Sequence, residues 1–379
     1  MSEVVEQIVS RQSPLHEAHE QAGASFIERE GWLLPAFYGN ATAEYSVVRD
    51  GDAGTAGLID LSSRGRVKIS GAEAVQFLNG LVTNDVKALG QNSCMSAAFP
   101  NAQGRLVAPA RILRVKDSFL IDTDTATSER VLKTVERFTL AGDFRVSNIA
   151  NETALLSVQG AHAAQVVKNS LGDVASSVAR ESVVHIGWRE HRLIIARATH
   201  TGEDGFDIFV EAKDARSLWD ALVEDGGAHP IGYGAFEMLR IEAGIPRFGS
   251  DMDETNVVTE AMADDAVSYQ KGCYIGQEII ARIHWRGHVA KKLTGIIFDE
   301  RKDLSPVNAK IRSADGKDIG RITSQTFSPR LDKSIALGYV KYDYLAPETP
   351  VEIVGGDESH AVITGRVAAL PFVRGSWHE

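Results

Sequence analysis

The sequence predicts an α+β body followed by a smaller, β-rich C-terminal domain. Three observations carry that expectation. Up to about residue 285, segments with helical spacing alternate with short strand-like runs. From about residue 291 only short strand-like runs broken by turns remain, the pattern of a small antiparallel β-barrel or sandwich. A chain of 379 residues is also too long for one small core, so two or three domains are expected. The change of character falls near residues 284–292, which gives a body over 1–285 and a C-terminal domain over 286–379.

In chain order, residues 14–30 carry Leu15, His16, Ala18, Ala22, Phe26 and Ile27 at loosely helical spacing. They predict an amphipathic helix ended by Gly31-Trp32 and Pro35. Strands follow at 57–63 and 66–71, with turn residues between them. A short helix over 72–81 comes next, with Ser70 or Gly71 as its cap and Phe77 and Leu78 facing inward. Residues 106–114 and 118–122 read as a hairpin, and 127–138 as a helix. A second block over 152–225 holds strands at 154–158, 192–198 and 206–210 and a helix at 212–223. The C-terminal domain has strand-like runs at 293–298, 310–312, 319–323, 336–339, 351–354 and 363–367.

The net charge of −11 argues against nucleic acid as a main partner, because phosphate binding needs a concentrated basic face. No apolar run approaches membrane-spanning length, so no membrane partner is expected. The first eleven residues mix Glu, Gln and Ser with Val and Ile and do not read as a secretory signal. Two cysteines, Cys94 and Cys273, cannot form a disulfide framework and suit a reducing, cytoplasmic setting.

The most informative run is Lys271-Gly272-Cys273-Tyr274-Ile275-Gly276-Gln277-Glu278, followed by Ala281-Arg282 and Arg286-Gly287. From Ile275 onward, Ile279, Ile280 and Ile283 fall at helical spacing, so Cys273 is expected just before a helix N-terminus. Unpaired N–H groups there, with Lys271 nearby, favour a thiolate. A lone cysteine is more often a buried small hydrophobe. Cys273 and Lys271 are the candidate catalytic residues, and the balance shifts toward a reactive or ligating sulfur through what the whole run resembles.

This run resembles the signature of the YgfZ-type folate-binding proteins, relatives of the glycine-cleavage T-protein that support iron–sulfur cluster maintenance. The resemblance covers nearly the whole chain. Pro14-Leu15, Gly31-Trp32, 58–62, Thr83-Asn84-Asp85-Val86, Thr201-Gly202-Glu203-Asp204-Gly205-Phe206-Asp207, Leu239-Arg240-Ile241-Glu242-Ala243-Gly244 and 336–340 are all similar to T-protein segments. The resemblance implies three subdomains around a central folate pocket, with tetrahydrofolate or a one-carbon-substituted folate as cofactor.

Two departures from the T-protein pattern bear on activity. Ala108 and Pro109 occupy the positions of a transferase's aspartate pair, and neither can stabilise positive charge on a folate nitrogen as a carboxylate does. Phe236 stands where the transferases place an arginine. The resemblance therefore implies a folate-binding protein that acts with iron–sulfur client or assembly proteins. An aminomethyltransferase served by a lipoyl carrier protein, or another folate-dependent one-carbon transferase or demethylase, is the alternative. By the same carry-over, Asn101, Arg105, Asp207, Phe236, Tyr274 and Gln277 are expected to bind the cofactor.

Other residues have plainer readings. By themselves Asp207 reads as a solvated strand residue, Phe236 as core, and Glu203 and Asp204 as turn residues. His284 and His288 are four apart, but Gly287 weakens the helix between them and no third metal ligand is near in sequence. Arg282, Arg286, Lys291 and Lys292 form a basic cluster that reads as solvated surface, or as a guide for an anionic folate tail or a partner protein.

Overall fold

Strands buried on both faces dominate the body, so their sequences run almost continuously apolar instead of alternating. The strand Gly205–Glu211, for example, is buried at every position except the last. The computed structural model describes residues 10–52, 54–137, 142–300, 309–355 and 362–379. The reading of the first nine residues, and the last position of the helix read over 127–138, lie outside the described residues.

The body has two sheets. One runs in the order Cys94–Pro100, Leu106–Val115, Ser118–Thr123, Gly65–Ser70, Arg145–Asn148. The other runs Val183–Trp188, His191–Arg197, Gly205–Glu211, Thr153–Gln159, Ala56–Asp60, Ala228–Pro230, with its last pair parallel. The first sheet uses consecutive strands over Gly65–Asn148, whereas the second takes Ala56–Asp60 from before them and its other strands from after them. Leu113 and Leu120 of the first sheet share a core with Leu155, Ala196 and Phe209 of the second, and with Tyr45 and Leu239. The outer face of the second sheet is covered by the helices Ala163–Leu171 and Ala215–Asp220. The outer face of the first is covered by Ala74–Leu81 and Ser128–Glu136. The layers are helix, sheet, sheet, helix.

The C-terminal strands close into a six-stranded barrel in the order Lys291–Phe298, Lys333–Lys341, Asp318–Ser328, Lys310–Ser313, Pro350–Val354, Val362–Ala368. Each of the six strand-like runs read from the sequence lies inside one of these strands. Ile296, Phe298, Ile311, Ile322, Val340, Ile353 and Val367 fill the interior. Leu293, Ile335, Leu337 and Tyr339 instead join a core with Ile241, Phe248, Met252 and Tyr274 of the body.

Two expectations need correction. The helix read over 14–30 is only His16–Gln21. Gly23 turns the chain at φ +79°, and Ser25–Arg29 pairs antiparallel with Trp32–Phe37. Glu30 and Gly31 both have positive φ, the two-residue turn that suits a twisted hairpin. Strand pairing won over a weak helical period. The helix beginning at Ala74 takes neither Ser70 nor Gly71 as its cap: Ser70 ends a strand, and Glu73 stands at the cap without a side-chain hydrogen bond. In that helix Leu78 is fully buried, and half-buried Phe77 stacks on Phe144 at 3.9 Å.

One buried ion cluster ties the parts together. Arg49, on the helix Ala41–Asp50, pairs with Glu203 at 2.6 Å and with Glu242 at 3.0 Å. Glu242 also accepts hydrogen bonds from Tyr45 Oη and from Ser328 Oγ of the barrel. Glu203 accepts from the Ser376 backbone N–H at 2.8 Å and from its hydroxyl at 2.6 Å. Glu203 is thus a buried anchor and not simply a turn residue, and Asp204 beside it pairs with Arg197 at 2.7 Å. Arg49→Met leaves two buried carboxylates without their cation and is expected to lower stability by about 3–5 kcal/mol. Urea unfolding checks this; a loss below about 1 kcal/mol would show that the cluster does not hold the parts together.

Candidate functional site

The strand Leu106–Val115 turns Ala108, Ala110 and Ile112 toward one core and Pro109, Arg111 and Leu113 toward the layer between the sheets. Asp207 and Phe209 face that layer from the opposing sheet. Arg111 and Asp207 therefore meet across it, joined through Arg111 Nη2. Arg111 Nη2 also lies 3.1 Å from Asp122, which Arg64 holds at 2.8 Å. Arg64 in turn pairs with Asp124 at 2.7 Å. His200 lies 3.0 Å from the other side of Asp207. Burial alone would raise the Asp207 carboxyl, but the charges of His200 and Arg111 outweigh it and hold the carboxyl far below its usual range. Asp207 is fully buried. It is neither solvated nor free to take a new partner without disturbing this chain of charges.

A cleft of about 430 Å³ is lined by Arg64 and Asp124 of this chain of charges and by Phe236, whose ring stands edge-on to His200, centroids 6.4 Å apart. Ile59, Leu61, Leu34, Pro35 and Ile231 supply an apolar wall. Arg29, Arg247, Glu28, Glu30, Asp60 and Asp124 supply charge. Asp60 is committed to His19 at 2.9 Å and to the Ser62 N–H at 2.8 Å. Burial pushes the Glu30 carboxyl above its usual range, against the nearby Arg247 charge. Arg29 and Arg247 lie over the Tyr233 ring at 5.0 and 4.8 Å, and Arg247 lies 5.5 Å from the Phe236 ring. The sequence reading missed Tyr233, Arg247 and Arg29. Tyr233, Phe236, Glu237 and Arg240 fall at i, i+3, i+4 and i+7 on the helix Tyr233–Glu242, a mixed aromatic and charged stripe that could have signalled a wall.

The cysteine motif forms a second locus. Its helix is Gln277–Arg286, capped by Gly276 in the left-handed region at φ +79°. A Cβ at Gly276 would collide with the Asn101 carbonyl oxygen, so glycine is required there for close packing as well as for φ. Asn101 Oδ1 accepts the N–H groups of Gln103 and Arg105 at 2.9 and 3.0 Å, and the Arg105 guanidinium donates to the Thr255 carbonyl. Gln277 Nε2 donates to the Lys271 carbonyl at 3.4 Å. Burial pushes the Lys271 ammonium down to about 8. It donates to the carbonyls of Asn79, Val82 and Asn84 at 2.7–2.8 Å, at the C-terminal end of the helix Ala74–Leu81. Tyr274 is buried in the core that joins body and barrel. Cys273 is exposed on this loop, whereas Cys94 is buried, and burial raises its thiol.

The expected residues therefore separate. Phe236 lines the cleft and Asp207 lies behind it. Asn101, Lys271, Tyr274 and Gln277 brace the loop of Cys273, Arg105 is tied to Thr255 instead, and neither these five nor Cys273 lines the cleft. Trp285 is 70% exposed, while His284 stacks on Tyr269 and His288 on Tyr342 at 3.6 and 3.7 Å. Among the described residues no group of three or more His, Cys, Asp or Glu side chains is placed to hold a metal ion, and no helix is long and apolar enough to cross a membrane.

A family model described as the GCVT N-terminal domain matches residues 15–271, and one described as the glycine cleavage T-protein C-terminal barrel domain matches 291–373. The chain belongs to the glycine cleavage T-protein family. It is 33% identical over 371 residues to an aminomethyltransferase of Rubrobacter xylanophilus, covering 96% of this chain and 94% of that one. An aminomethyltransferase of Thermotoga neapolitana is 28% identical over 375 residues, with 97% and 98% covered. The crystal structure of glycine cleavage system aminomethyltransferase T from Bartonella henselae superposes with a TM-score of 0.87 at 25% identity, over 96% of this chain and 98% of that one. The fold is thus the T-protein fold with its closed antiparallel barrel. Aminomethyltransferases of this family use tetrahydrofolate.

The Asp207 ion chain has a pH signature. The carboxyl is depressed in the folded state, so its contribution is full well above the unfolded value of 3.8 and is lost as pH falls below it. Asp207→Asn should destabilise the protein by about 3–5 kcal/mol at pH 7, because it leaves Arg111 and His200 without their carboxylate. The gap between wild type and variant should narrow by about 1 kcal/mol at about pH 3. Urea midpoints at the two pH values measure it; a gap that does not change with pH would mean that Asp207 is not ionised in the folded protein.

Proposed function

We propose that this chain is a tetrahydrofolate-binding member of the T-protein family that supports iron–sulfur cluster assembly or repair through its folate and Cys273, in a cytoplasmic setting. The observation that carries this reading is the strand Leu106–Val115. Where the resemblance implies a transferase's aspartate pair, it has fully buried Ala108 and then Pro109, whose carbonyl accepts the Thr123 hydroxyl at 2.6 Å. The next side chain on the face of Pro109 is the cation of Arg111, already engaged with Asp122 and Asp207. A cation there opposes a developing positive charge instead of stabilising it.

The cleft fits a reduced folate in size and chemistry. About 430 Å³ lies within the usual range for small-ligand sites. Ile59, Leu61 and Phe236 offer an apolar and aromatic slot for a flat ring, and Arg29 and Arg247 offer cations for an acidic tail. When bound, tetrahydrofolate supplies an acceptor for one-carbon units. Cys273 supplies an exposed thiol on a loop that Lys271, Tyr274 and Gly276 hold against the body. Iron–sulfur client or assembly proteins are the partners this reading requires.

A second reading, aminomethyl transfer from a lipoyl carrier protein, is favoured by the full-length similarity to proteins named aminomethyltransferase. The missing carboxylate weighs against it.

Anaerobic calorimetry with tetrahydrofolate should give saturable binding, weakened about tenfold, or about 1.4 kcal/mol, by Phe236→Ala. Absence of binding by wild type would overturn the folate reading. Cys273→Ala should keep folate affinity yet fail to rescue a bacterial strain lacking its own protein of this type, and full rescue would remove the thiol from the function. Production of methylene-tetrahydrofolate and ammonia from loaded carrier at an ordinary transferase rate would replace the first reading with the second.

A further inference from the structure

Asp60 stands on the cleft wall without a part in the Arg111–Asp207 chain of charges. It ends the strand Ala56–Asp60, between Ile59 and Leu61 of the apolar wall. Its side chain is 4% exposed, against 20% for Asp124, while Glu28 and Glu30 lie open at the tip of their hairpin. It is the most deeply buried of the four carboxylates that line the cleft. Three separate segments meet to hold it. The Ser13 hydroxyl, just before the helix His16–Gln21, donates to Asp60 Oδ2. His19, on that helix and 1% exposed, lies 2.9 Å from the same oxygen through Nε2. Tyr38, just after the strand Trp32–Phe37, lies 2.8 Å from His19 Nδ1 through its hydroxyl. Trp219 packs edge-on against the His19 ring at 5.0 Å.

The direction of these hydrogen bonds fixes what Asp60 can do. Burial and the charges of Asp60 and Glu44 push the Tyr38 hydroxyl well above its usual range, so it keeps its proton. It can fill His19 Nδ1 and leave Nε2–H to donate to Asp60. Burial alone would raise the Asp60 carboxyl, but the hydrogen bonds from His19, Ser13 and Ser62 hold it below its usual range. An ionised carboxylate accepts hydrogen bonds and donates none. Oδ2 already takes two donors, from Ser13 and His19. Oδ1 takes one, the Ser62 N–H at 2.8 Å, and a carboxylate oxygen has room for a second. The cleft therefore carries a rigid, buried acceptor beside its apolar slot, and a ligand atom that meets it must bring an N–H or O–H.

We infer that Asp60 is a ligand-binding residue whose carboxylate accepts a hydrogen bond from the amino edge of the ring held between Ile59, Leu61 and Phe236. The inference rests on the folate reading above and adds to it the feature by which the cleft selects its ring. The ring of a reduced folate presents an amino group beside a ring N–H, two donors on one edge. Asp207 is engaged by Arg111 and His200 behind the cleft, whereas Asp60 lies on the wall with capacity left. A ring with an oxygen or a methyl group in place of the amino group leaves that acceptor opposed or unpaired.

The test compares tetrahydrofolate with its 2-desamino-2-methyl analogue by anaerobic calorimetry on the full chain. The analogue keeps the ring and the tail and lacks the amino donor. Wild type should bind tetrahydrofolate at least about tenfold more tightly. Asp60→Asn, which puts a donor nitrogen in place of one acceptor oxygen, should weaken tetrahydrofolate and bring the two ligands to within about twofold of each other. A urea midpoint shows whether the variant is folded. The comparison on wild type needs no variant and decides the matter if Asp60→Asn does not fold. Equal affinity of wild type for both ligands would show that Asp60 only tethers the N-terminal segment, which overturns the inference and leaves the folate reading standing. A preference that survives in folded Asp60→Asn would assign the acceptor to another residue and overturn the inference too. Binding of neither ligand would overturn both readings.

Discussion

The Arg49 cluster is the constraint on which the rest of the molecule depends. One guanidinium faces two carboxylates, Glu203 from the loop before Gly205–Glu211 and Glu242 from the end of Tyr233–Glu242. Through them it reaches Ser328 of the barrel and Ser376 near the C-terminus. All three charged groups are buried, so each is stable only with the others in place. Registering these segments also registers what they carry. The helix of Glu242 holds Tyr233 and Phe236, and the loop of Glu203 leads into the strand of Asp207. The cleft walls are positioned as a consequence of a contact outside the cleft.

A second consequence follows from stacking two sheets face to face. A polar side chain on an inward face must find its partner on the opposing sheet. Arg111 and Asp207 are such a pair, extended by Asp122, Arg64 and His200. The chain of charges sets each of these carboxylates against a cation or an imidazole. A general acid or base needs a value near working pH, whereas Asp207 is held far below it.

The cysteine loop is built on the same economy of partners. Lys271 looked, beside Cys273, like a source of positive charge for a thiolate. Its ammonium instead satisfies three carbonyls left over at a helix end, a structural task that fixes the loop from beneath. The Gly276 turn interlocks with the Asn101–Arg105 segment, so the motif and the loop that leads into the strand Leu106–Val115 are one packed unit. Lys271, Tyr274 and Gly276 in the motif are thereby explained by packing, while Cys273 is exposed together with Gly272 and Glu278.

Much of the fold was legible in the sequence alone. The six barrel strands could be read because a small barrel alternates apolar and polar residues and marks its turns with Gly, Asp and Pro, all local signals. The family was legible from motifs spread along the whole length. Other features were decided only by tertiary structure. The strand Ser25–Arg29 formed because Trp32–Phe37 was available to pair with it. Asp207 became a buried ion and not a solvated one because Arg111, 96 residues away in sequence, faces it across two sheets. Lys271 found carbonyls up to 192 residues distant. Tyr233, Arg247 and Arg29 came together on one wall of the cleft. Local periodicity records which residues prefer burial, but it holds no record of which distant partner will neutralise a charge. That pairing is settled only when the layers close and water is excluded between them.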